Sequence, residues 1–322
     1  MNFDKTILVT GGAGFIGSNY LNVLVPRYPQ YRFLNIDCLT YAGSLGNIHV
    51  AREPNYIFIK ADIRERENLE KIFTEYKPDH VIHFAAESHV DLSITNPHLF
   101  VETNVGGTHN LLYISKKYGL KRFHQISTDE VYGSLRKDDT SFNERTPLDP
   151  RNPYSASKAA AEFMALSYHK TFGLDVVITR SSNNFGPHQD MTKLIPLFIS
   201  KLLKKEKVPL YGKGENIRDW LFVEDNVEAI DLVFHKGRTG EIYNIGGGNE
   251  LRNIDIARKL LVLAGLGEDN IEFVTDRPGH DFRYSLDSSK IKNELGWKPK
   301  TSFDDGIEKT FVFYQKAMAT IK

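Results

Sequence analysis

Glycines cluster where the first apolar segment of the chain ends. The segment 7–9 leads into a turn that contains Gly11, Gly12, Gly14, Phe15, Ile16 and Gly17. This spacing allows a tight turn, close approach of the backbone to a pyrophosphate, and a helix N-terminus directed at the negative charge. We therefore predict that the turn binds a dinucleotide between a strand and a helix.

A carboxylate follows at the end of the second apolar segment. Asp37 stands about 20 positions after Gly17, where such a carboxylate binds the adenosine ribose diol in dinucleotide-binding folds. It would repel a 2′-phosphate, and the next residue is Cys38 rather than an arginine. The sequence therefore favours NAD over NADP.

A tyrosine and a lysine stand four residues apart in the segment 154–158, Tyr-Ser-Ala-Ser-Lys. On a helix, Tyr154 and Lys158 would share one face. The lysine charge and a nearby nicotinamide cation would lower the pKa of the phenol, which would make Tyr154 a usable acid or base. The pair alone is a weak signal, because an exposed helix often shows it.

Two adjacent carboxylates follow another predicted strand. Thr128, Asp129 and Glu130 come directly after the segment 123–126, and ligands collect at the carboxyl ends of parallel strands. Thr128 could polarise a carbonyl, and the carboxylates could serve as one acid and one base if their surroundings differ. An acid and a base at adjacent positions would serve an elimination of water. The alternative is a solvated polar loop.

Short apolar segments alternate with amphipathic ones in the first half of the chain. We predict strands at 6–9, 33–36, 56–59, 81–84, 122–126 and 176–179, and helices at 66–76 and 105–118. This alternation predicts an α/β fold, a Rossmann-type doubly wound parallel sheet with a smaller C-terminal α/β lobe. We expect an NAD-binding domain at 1–180 and a substrate-binding lobe at 181–322, with 220–245 returning to the first domain.

The composition excludes several classes of function. The 322 residues carry 41 basic and 41 acidic side chains, so no charge excess indicates binding to nucleic acid polymers or membranes. The single cysteine, Cys38, fits a reducing compartment, and we expect a cytoplasmic protein without a membrane span. His80 and His83 would lie on opposite faces of a strand, so we expect no metal site.

With the glycine turn, Tyr154 and Lys158 resemble the extended branch of the short-chain dehydrogenase/reductase superfamily. Further segments narrow the resemblance to NAD-dependent nucleotide-sugar 4,6-dehydratases, above all those acting on dTDP-glucose. These segments are 85–91, 128–130, 153–159, 182–187, 193–196, 212–225, 243–247 and 277–281. The resemblance covers most of the chain and implies a lyase of deoxysugar biosynthesis. It also implies a homodimer formed through the helices at 105–118 and 155–171.

The resemblance implies a binding site residue by residue. For NAD it implies the glycine turn, Asp37 at the ribose, and Cys38, Leu39, Thr40, Asp62, Ile63, Ala85, Ala86, Thr103, Tyr154, Lys158 and Asn184. For the nucleotide sugar it implies Ser88, Thr128, Asn183, Lys193, Leu194, Pro209, Tyr211, Arg218, Asn253, Arg277 and His280. Arg218 and Arg277 could hold a diphosphate through paired hydrogen bonds.

The implied reaction assigns catalysis to Thr128, Asp129, Glu130, Tyr154 and Lys158. Tyr154 takes the C4 hydroxyl proton while hydride moves from C4 to NAD, and the resulting ketone, held by Thr128, acidifies the C5 proton. Glu130 removes that proton and Asp129 protonates the departing C6 hydroxyl. The hydride then returns to C6 and a proton returns to C5. NAD is regenerated in each turnover.

The chain departs from the family pattern at two positions near the implied sugar. Thr192 stands where a glutamate usually precedes the lysine at 193, and Leu92 stands where an arginine follows Asp91. These changes leave open a related NAD-dependent enzyme that acts on a UDP-N-acetylhexosamine or its dehydrated intermediate, with epimerisation at C5. The sequence also leaves open a 4-epimerase and a non-catalytic dinucleotide-sensing protein.

Overall fold

We describe a computed structural model of the chain, which covers residues 2–276 and 281–320. Its strands are β1 (Lys5–Thr10), β2 (Tyr31–Asp37), β3 (Tyr56–Lys60), β4 (His80–His83), β5 (Arg122–Thr128), β6 (Val176–Ser181), β7 (Asn183–Phe185), β8 (Val208–Tyr211), β9 (Ile217–Phe222), β10 (Ile242–Ile245), β11 (Glu250–Arg252) and β12 (Ile271–Val274). Its helices are α1 (Phe15–Arg27), α2 (Arg66–Tyr76), α3 (Val90–Thr95), α4 (Pro97–Phe100), α5 (Thr108–Lys117), α6 (Pro153–Phe172), α7 (Leu194–Leu203), α8 (Val223–Lys236), α9 (Asn253–Ala264), α10 (Ser289–Leu295) and α11 (Phe303–Thr320).

In these residues, seven strands form one parallel sheet in the order β10-β6-β5-β4-β1-β2-β3. Both faces of the strands are buried, which explains why their sequences are continuously apolar instead of alternating. Helices α1 and α8 cover one face, and α2, α5 and α6 cover the other. The prediction of a doubly wound parallel sheet is therefore confirmed.

The order of the strands reverses between β1 and β4. Crossovers run from β1 outward to β3 on one side, and from β4 outward to β6 on the other. The loops after β1 and β4 therefore diverge at the carboxyl edge of the sheet, and ligands of doubly wound folds bind in such a crevice. The predicted glycine turn follows β1, and the segment 85–91 follows β4.

A second, smaller set of strands and helices lies after residue 182. Strand β9 pairs with β7 and β11, β8 pairs with β12, and α7, α9 and α11 pack with them around a separate apolar cluster. Strand β10 lies in the large sheet beside β6, and α8 packs against α1. The chain thus returns to the large sheet at α8 and β10, after β9 and before β11.

One segment between α4 and α5 has an unusual helical geometry. Val101–Gly107 forms a π-helix, continuous with the helices on either side. Asn104 in this segment donates to the Glu87 carbonyl at 3.0 Å and to the Ser157 hydroxyl at 2.8 Å. The wider turn directs a buried amide between the loop after β4 and helix α6. π-helical turns inside α-helices are frequently found at functional sites.

Candidate active site

A groove runs along the carboxyl edge of the large sheet, from the glycine turn to the ends of β5 and β6. Most of the predicted site residues line it: Gly11, Gly14, Phe15, Ile16, Gly17, Asp37, Cys38, Thr40, Asp62, Ile63, Ala85, Ala86, Ser88, Thr103, Thr128, Asp129, Glu130, Tyr154, Lys158, Asn183, Asn184 and Lys193. The fold thus brings the predicted dinucleotide-binding residues and the predicted catalytic residues to one continuous cavity.

The glycine turn fits a dinucleotide closely. Gly11 has φ of +69°, and a Cβ at Gly17 would stand 2.4 Å from the Gly11 carbonyl oxygen, so neither position accepts a side chain without a shift. Helix α1 has no side-chain cap and no acidic residue in its first turn. Its first N–H groups and its dipole therefore face the groove, where a pyrophosphate would be stabilised.

Asp37 lies at the end of β2 and is already held in place. Its Oδ2 accepts from the Ala13 N–H at 3.0 Å and its Oδ1 from the Leu39 N–H at 2.8 Å. Burial raises the pKa of the carboxyl, and these two hydrogen bonds oppose the rise. The carboxylate is thus fixed beside the glycine turn, where a ribose diol can donate to it.

Buried polar atoms without partners point to the same groove. Within the described residues, five such atoms belong to residues that line it: Glu87 Oε2, Ser127 Oγ, Asp129 Oδ2, Asn183 Oδ1 and Gln189 Oε1. A buried polar atom without a hydrogen bond costs about 1–3 kcal/mol. Their concentration here indicates that a polar ligand completes the site, and these oxygens, most of them hydrogen-bond acceptors, fit the hydroxyl and amide groups of NAD and a nucleotide sugar.

Asp129 and Glu130 lie in a short 3₁₀ turn, Asp129–Tyr132, that follows β5. Burial raises the pKa of Asp129 well above its usual range, and the neighbouring Glu130 and Asp219 charges raise it further. Burial also raises the pKa of Glu130, but the Lys193 and Arg218 charges oppose that rise. The two carboxyls therefore have different surroundings, and these favour the protonated form more strongly at Asp129 than at Glu130.

Tyr154 begins the first turn of α6, and its phenol is hydrogen-bonded to Thr128. Burial raises the pKa of Tyr154, with a further rise from the Glu130 charge. This differs from the lowered value that the Tyr-Lys spacing predicts, because burial has the largest effect on the phenol. The Lys158 ammonium donates instead to the Ile126 carbonyl at 2.6 Å. Burial lowers the pKa of Lys158 to about 8.

Several predicted residues do not line the groove. A Cβ at Gly12 would stand 2.3 Å from Asn35 Oδ1, so this glycine packs against β2. Arg218 is stacked on Tyr284 and donates to the carbonyls of residues 217, 281 and 282. The others that lie outside the lining are Leu39, Leu194, Pro209, Tyr211 and Asn253. Arg277 and His280 lie outside the described residues.

Among the described residues, seven polar ones line the groove without having been predicted: Arg64, Glu87, Ser127, Ser181, Ser182, Gln189 and Asp190. Glu87 belongs to the segment 85–91, whose resemblance to the family could have identified it. Gln189 and Asp190 belong to the segment that departs from the family pattern. No motif in the sequence indicates Arg64. Its guanidinium forms an ion pair with Asp62, which also lines the groove.

His80 and His83, the two histidines of β4, both have hydrogen-bond partners within the protein. His80 contacts Asp79 at 2.7 Å, and His83 lies between the Thr10 and Thr108 hydroxyls at 2.7 and 2.9 Å. Among residues 2–276 and 281–320, no three His, Cys, Asp or Glu side chains converge as metal ligands. No helix in that part of the chain is long and apolar enough to cross a bilayer.

The sequence of the chain matches known nucleotide-sugar 4,6-dehydratases along most of its length. The family model described as GDP-mannose 4,6 dehydratase matches residues 8–310. The dTDP-glucose 4,6-dehydratase of Haemophilus influenzae is 47% identical over 329 aligned positions, which cover 96% of this chain and 97% of that protein.

Solved structures agree with the sequence comparison. The dTDP-glucose 4,6-dehydratase of Streptomyces venezuelae with NAD and TYD bound superposes with a TM-score of 0.93 at 45% identity, covering 98% of each chain. The UDP-glucose 4-epimerase of Thermotoga maritima superposes with a TM-score of 0.91 at 32% identity, covering 97% of this chain and 99% of that one. The chain therefore belongs to the GDP-mannose 4,6-dehydratase family.

Proposed function

We propose that this protein is an NAD-dependent nucleotide-sugar 4,6-dehydratase, with dTDP-glucose as its substrate. The observation that carries the proposal is the Asp129–Glu130 pair beside Tyr154, at the end of a groove that begins at the glycine turn. A 4-epimerase needs one proton acceptor at C4, whereas loss of water across C5 and C6 needs an additional base and acid. The relatives that act on dTDP-glucose support the choice of substrate.

NAD would be held by the glycine turn and Asp37, and it supplies a hydride acceptor for C4 and a hydride donor for C6. Tyr154 removes the proton of the C4 hydroxyl, and its hydrogen bond to Thr128 directs both groups at the C4 oxygen. Lys158, fixed on the Ile126 carbonyl, places a positive charge one helical turn after the phenol. Thr128 and Tyr154 then polarise the C4 carbonyl, which acidifies the proton at C5.

Elimination follows from the difference between the two carboxyls. Glu130 accepts the C5 proton, since the Lys193 and Arg218 charges favour its ionised form. Asp129 gives its proton to the departing C6 hydroxyl, because burial and the Glu130 charge favour its protonated form. Asp129 is buried and Glu130 is partly buried, which limits the access of bulk water to these two proton transfers.

The alternative substrate, a UDP-N-acetylhexosamine or its dehydrated intermediate, is favoured by one observation. Thr192 stands at the position where the family pattern has a glutamate, and its N–H donates to Asp190 at 2.9 Å. Asp190 lines the groove while Thr192 does not. The carboxylate at this end of the groove therefore belongs to Asp190, two positions before the place where the family pattern has its glutamate. This changes the space available beside the sugar.

Mass spectrometry of the products separates these candidates. Purified protein is incubated with dTDP-glucose, UDP-glucose and UDP-N-acetylglucosamine, and Tyr154→Phe serves as the inactive control. We expect loss of water from dTDP-glucose, and a fall of about 10²–10⁴-fold in the variant, the usual share of general acid–base catalysis. Loss of water only from the UDP-N-acetyl sugar would establish the alternative, and no C4 oxidation of any sugar would refute the dehydratase proposal.

We also propose that the protein is a cytoplasmic homodimer. Large apolar side chains are exposed on the layer built from α3, α5, α6 and the π-helix, with Ile94 at 59%, Val101 at 56% and Phe163 at 60%. Such patches usually mark interfaces, and the resemblance implies a dimer formed through the helices at 105–118 and 155–171. The cytoplasm is supported by the single cysteine and by dependence on NAD.

Sedimentation velocity tests the dimer. Phe163→Glu should convert dimer to monomer, because a charge would then be buried without a partner. Val262→Glu is the matched control, since Val262 on α9 is 77% exposed and lies outside the proposed interface. A wild-type monomer at micromolar concentration would contradict the proposal.

A further inference from the structure

A buried set of polar contacts lies behind the turn that carries the two carboxyls. The Arg180 Nε donates to both oxygens of Glu162 at 3.0 and 3.1 Å, and its Nη1 donates to the Tyr132 hydroxyl at 2.7 Å. That hydroxyl in turn donates to Asn244 Oδ1 at 2.8 Å. The side chains of Arg180 and Glu162 are 3% and 1% exposed, and none of these residues lines the groove.

The four members come from four different elements. Tyr132 ends the 3₁₀ turn that begins at Asp129, and Glu162 lies on α6, one helical turn after Lys158. Arg180 lies on β6, next to Asn244 on β10. The contacts therefore join the turn that carries the proposed acid and base to the helix that carries Tyr154.

Stability alone does not explain a pair of charges in this place. Burying two ions costs several kcal/mol each, and well-packed apolar residues of the same size are often as stabilising or more so. The Arg180–Glu162 pair fixes the orientation of its partners, because a planar guanidinium with bidentate contacts allows only one arrangement. The guanidinium also lies over the Tyr132 ring, 4.6 Å from its centre.

We propose that Glu162 and Arg180, acting through the Tyr132 hydroxyl, are positioning residues that set the Asp129–Glu130 turn relative to Tyr154. The inference rests on the proposed dehydration. Oxidation at C4 uses Tyr154 on α6, whereas elimination needs that helix and the turn to act on the same sugar. Loosening the contact should therefore slow elimination more than oxidation, and a misplacement of about 1 Å can cost about 10²-fold in rate.

Tyr132→Phe is the sharpest test, since it removes the hydroxyl and keeps the ring. The ring stacks on Phe142 at 4.9 Å between centres, so the variant should fold. Single turnovers of dTDP-glucose are followed by the absorbance of reduced nicotinamide and by product mass. We expect C4 oxidation within about threefold of wild type and elimination slowed about tenfold or more, so that reduced nicotinamide accumulates.

Two further variants complete the test. Tyr28→Phe is the matched control, because the Tyr28 hydroxyl also donates to a side chain, Asp231 Oδ2 at 2.8 Å, away from the groove. It should leave the ratio of the two rates unchanged. Arg180→Lys keeps the charge but lacks the planar fork, and should change the ratio as Tyr132→Phe does. If oxidation and elimination fall equally in both Tyr132→Phe and Arg180→Lys, these residues are only structural and the inference is wrong.

A measurement without substrate separates this inference from the proposed function. The infrared band of the protonated Asp129 carboxyl, assigned with Asp129→Asn, is titrated in wild type and in Tyr132→Phe. Asp129 faces Glu130 on its own turn, Asp219 and Arg218 on β9, and Tyr154 on α6.

Burial is the largest cause of the raised pKa of Asp129, so a loosened turn that admits water should lower the pH at which the band disappears. If wild type oxidises none of the sugars, the proposed function fails, and this titration alone decides the inference. An unchanged titration in that case overturns it, and a lowered one supports it.

Discussion

At the scale of single residues, the site depends on two neighbouring carboxyls that differ in their surroundings. Asp129 is 2% exposed and lies between two other carboxyls, while Glu130 has Lys193 and Arg218 to balance its charge. Asn152, which caps α6, also hydrogen-bonds to Glu130. The difference follows from side chains that reach the turn from distant parts of the chain.

Because the two carboxyls differ, Asp129→Asn and Glu130→Gln should block different steps of the reaction. Asp129→Asn should oxidise C4 but fail to lose water, because the amide keeps the shape and lacks an acidic proton. It should accumulate reduced nicotinamide, visible by its absorbance, with a 4-keto sugar that keeps its C6 hydroxyl. Glu130→Gln should slow exchange of the C5 proton with deuterated solvent. Loss of C4 oxidation in Asp129→Asn would show that Asp129 chiefly positions the substrate or the cofactor.

At the scale of elements, the junction of β1 and α1 has no room for a side chain at Gly17. A Cβ at Gly17 would stand 2.4 Å from the Gly11 carbonyl oxygen and 2.8 Å from the Gly12 Cα. Both contacts are with backbone, so the turn itself would have to move. The first N–H groups of α1 would then no longer point at one place in the groove.

Gly17→Ala should therefore weaken NAD binding about tenfold or more, which corresponds to about 1.4 kcal/mol. Isothermal titration calorimetry of protein stripped of nucleotide measures the effect. Gly267→Ala is the control, since a Cβ there meets no atom within 4 Å. Equal affinities in Gly17→Ala and wild type would show that the turn does not hold the pyrophosphate.

Which elements could be predicted depends on whether their cause is local. The strands of the large sheet are continuous apolar segments, and α2 coincides with the predicted helix at 66–76. The π-helix that overlaps the start of 105–118 was not predicted, because its sequence fits an ordinary helix. What widens it is tertiary: Asn104 bonds to Glu87 and Ser157, and a Cβ at Gly107 would stand 2.5 Å from Ile63.

The same distinction applies to the site. The glycine turn and the Asp129–Glu130 pair could be predicted because adjacent residues form them. The Glu162–Arg180–Tyr132 contacts could not, since three elements contribute one side chain each. The orientation of Arg218, which donates to the carbonyls of residues 281 and 282, likewise depends on a segment more than 60 positions away. Neither pattern nor spacing in the sequence reports such partners.

At the scale of the whole molecule, the centre of the sheet buries histidines that stay neutral. His124 on β5 is fully buried, with its Nε2 3.1 Å from the Thr179 hydroxyl. Burial lowers the pKa of His124 to about 3, and that of His83 to about 3 as well. The unfolded chain binds protons at these histidines near pH 6.5, so stability should fall as the pH drops below that value.

Asp219 acts in the opposite direction. Burial raises its pKa to about 6, so the folded state binds this proton at a higher pH than the unfolded state does. Its contribution to stability therefore grows as the pH falls from 6 towards the ordinary value for aspartate. It offsets one of the two histidines in that interval, and the acid destabilisation of wild type is smaller than two histidines alone would give.

His124→Gln isolates one histidine from this balance, because glutamine can still contact Thr179 and does not titrate. Between pH 6 and pH 5, the free energy of unfolding of wild type should fall more than that of the variant, by about 1 kcal/mol. Urea denaturation at fixed protein concentration measures this difference. His98→Gln is the control, since the His98 side chain is 80% exposed, and its slope should match that of wild type. Parallel curves for wild type and His124→Gln would mean that His124 takes up its proton in the folded protein, and therefore that the centre of the sheet admits water.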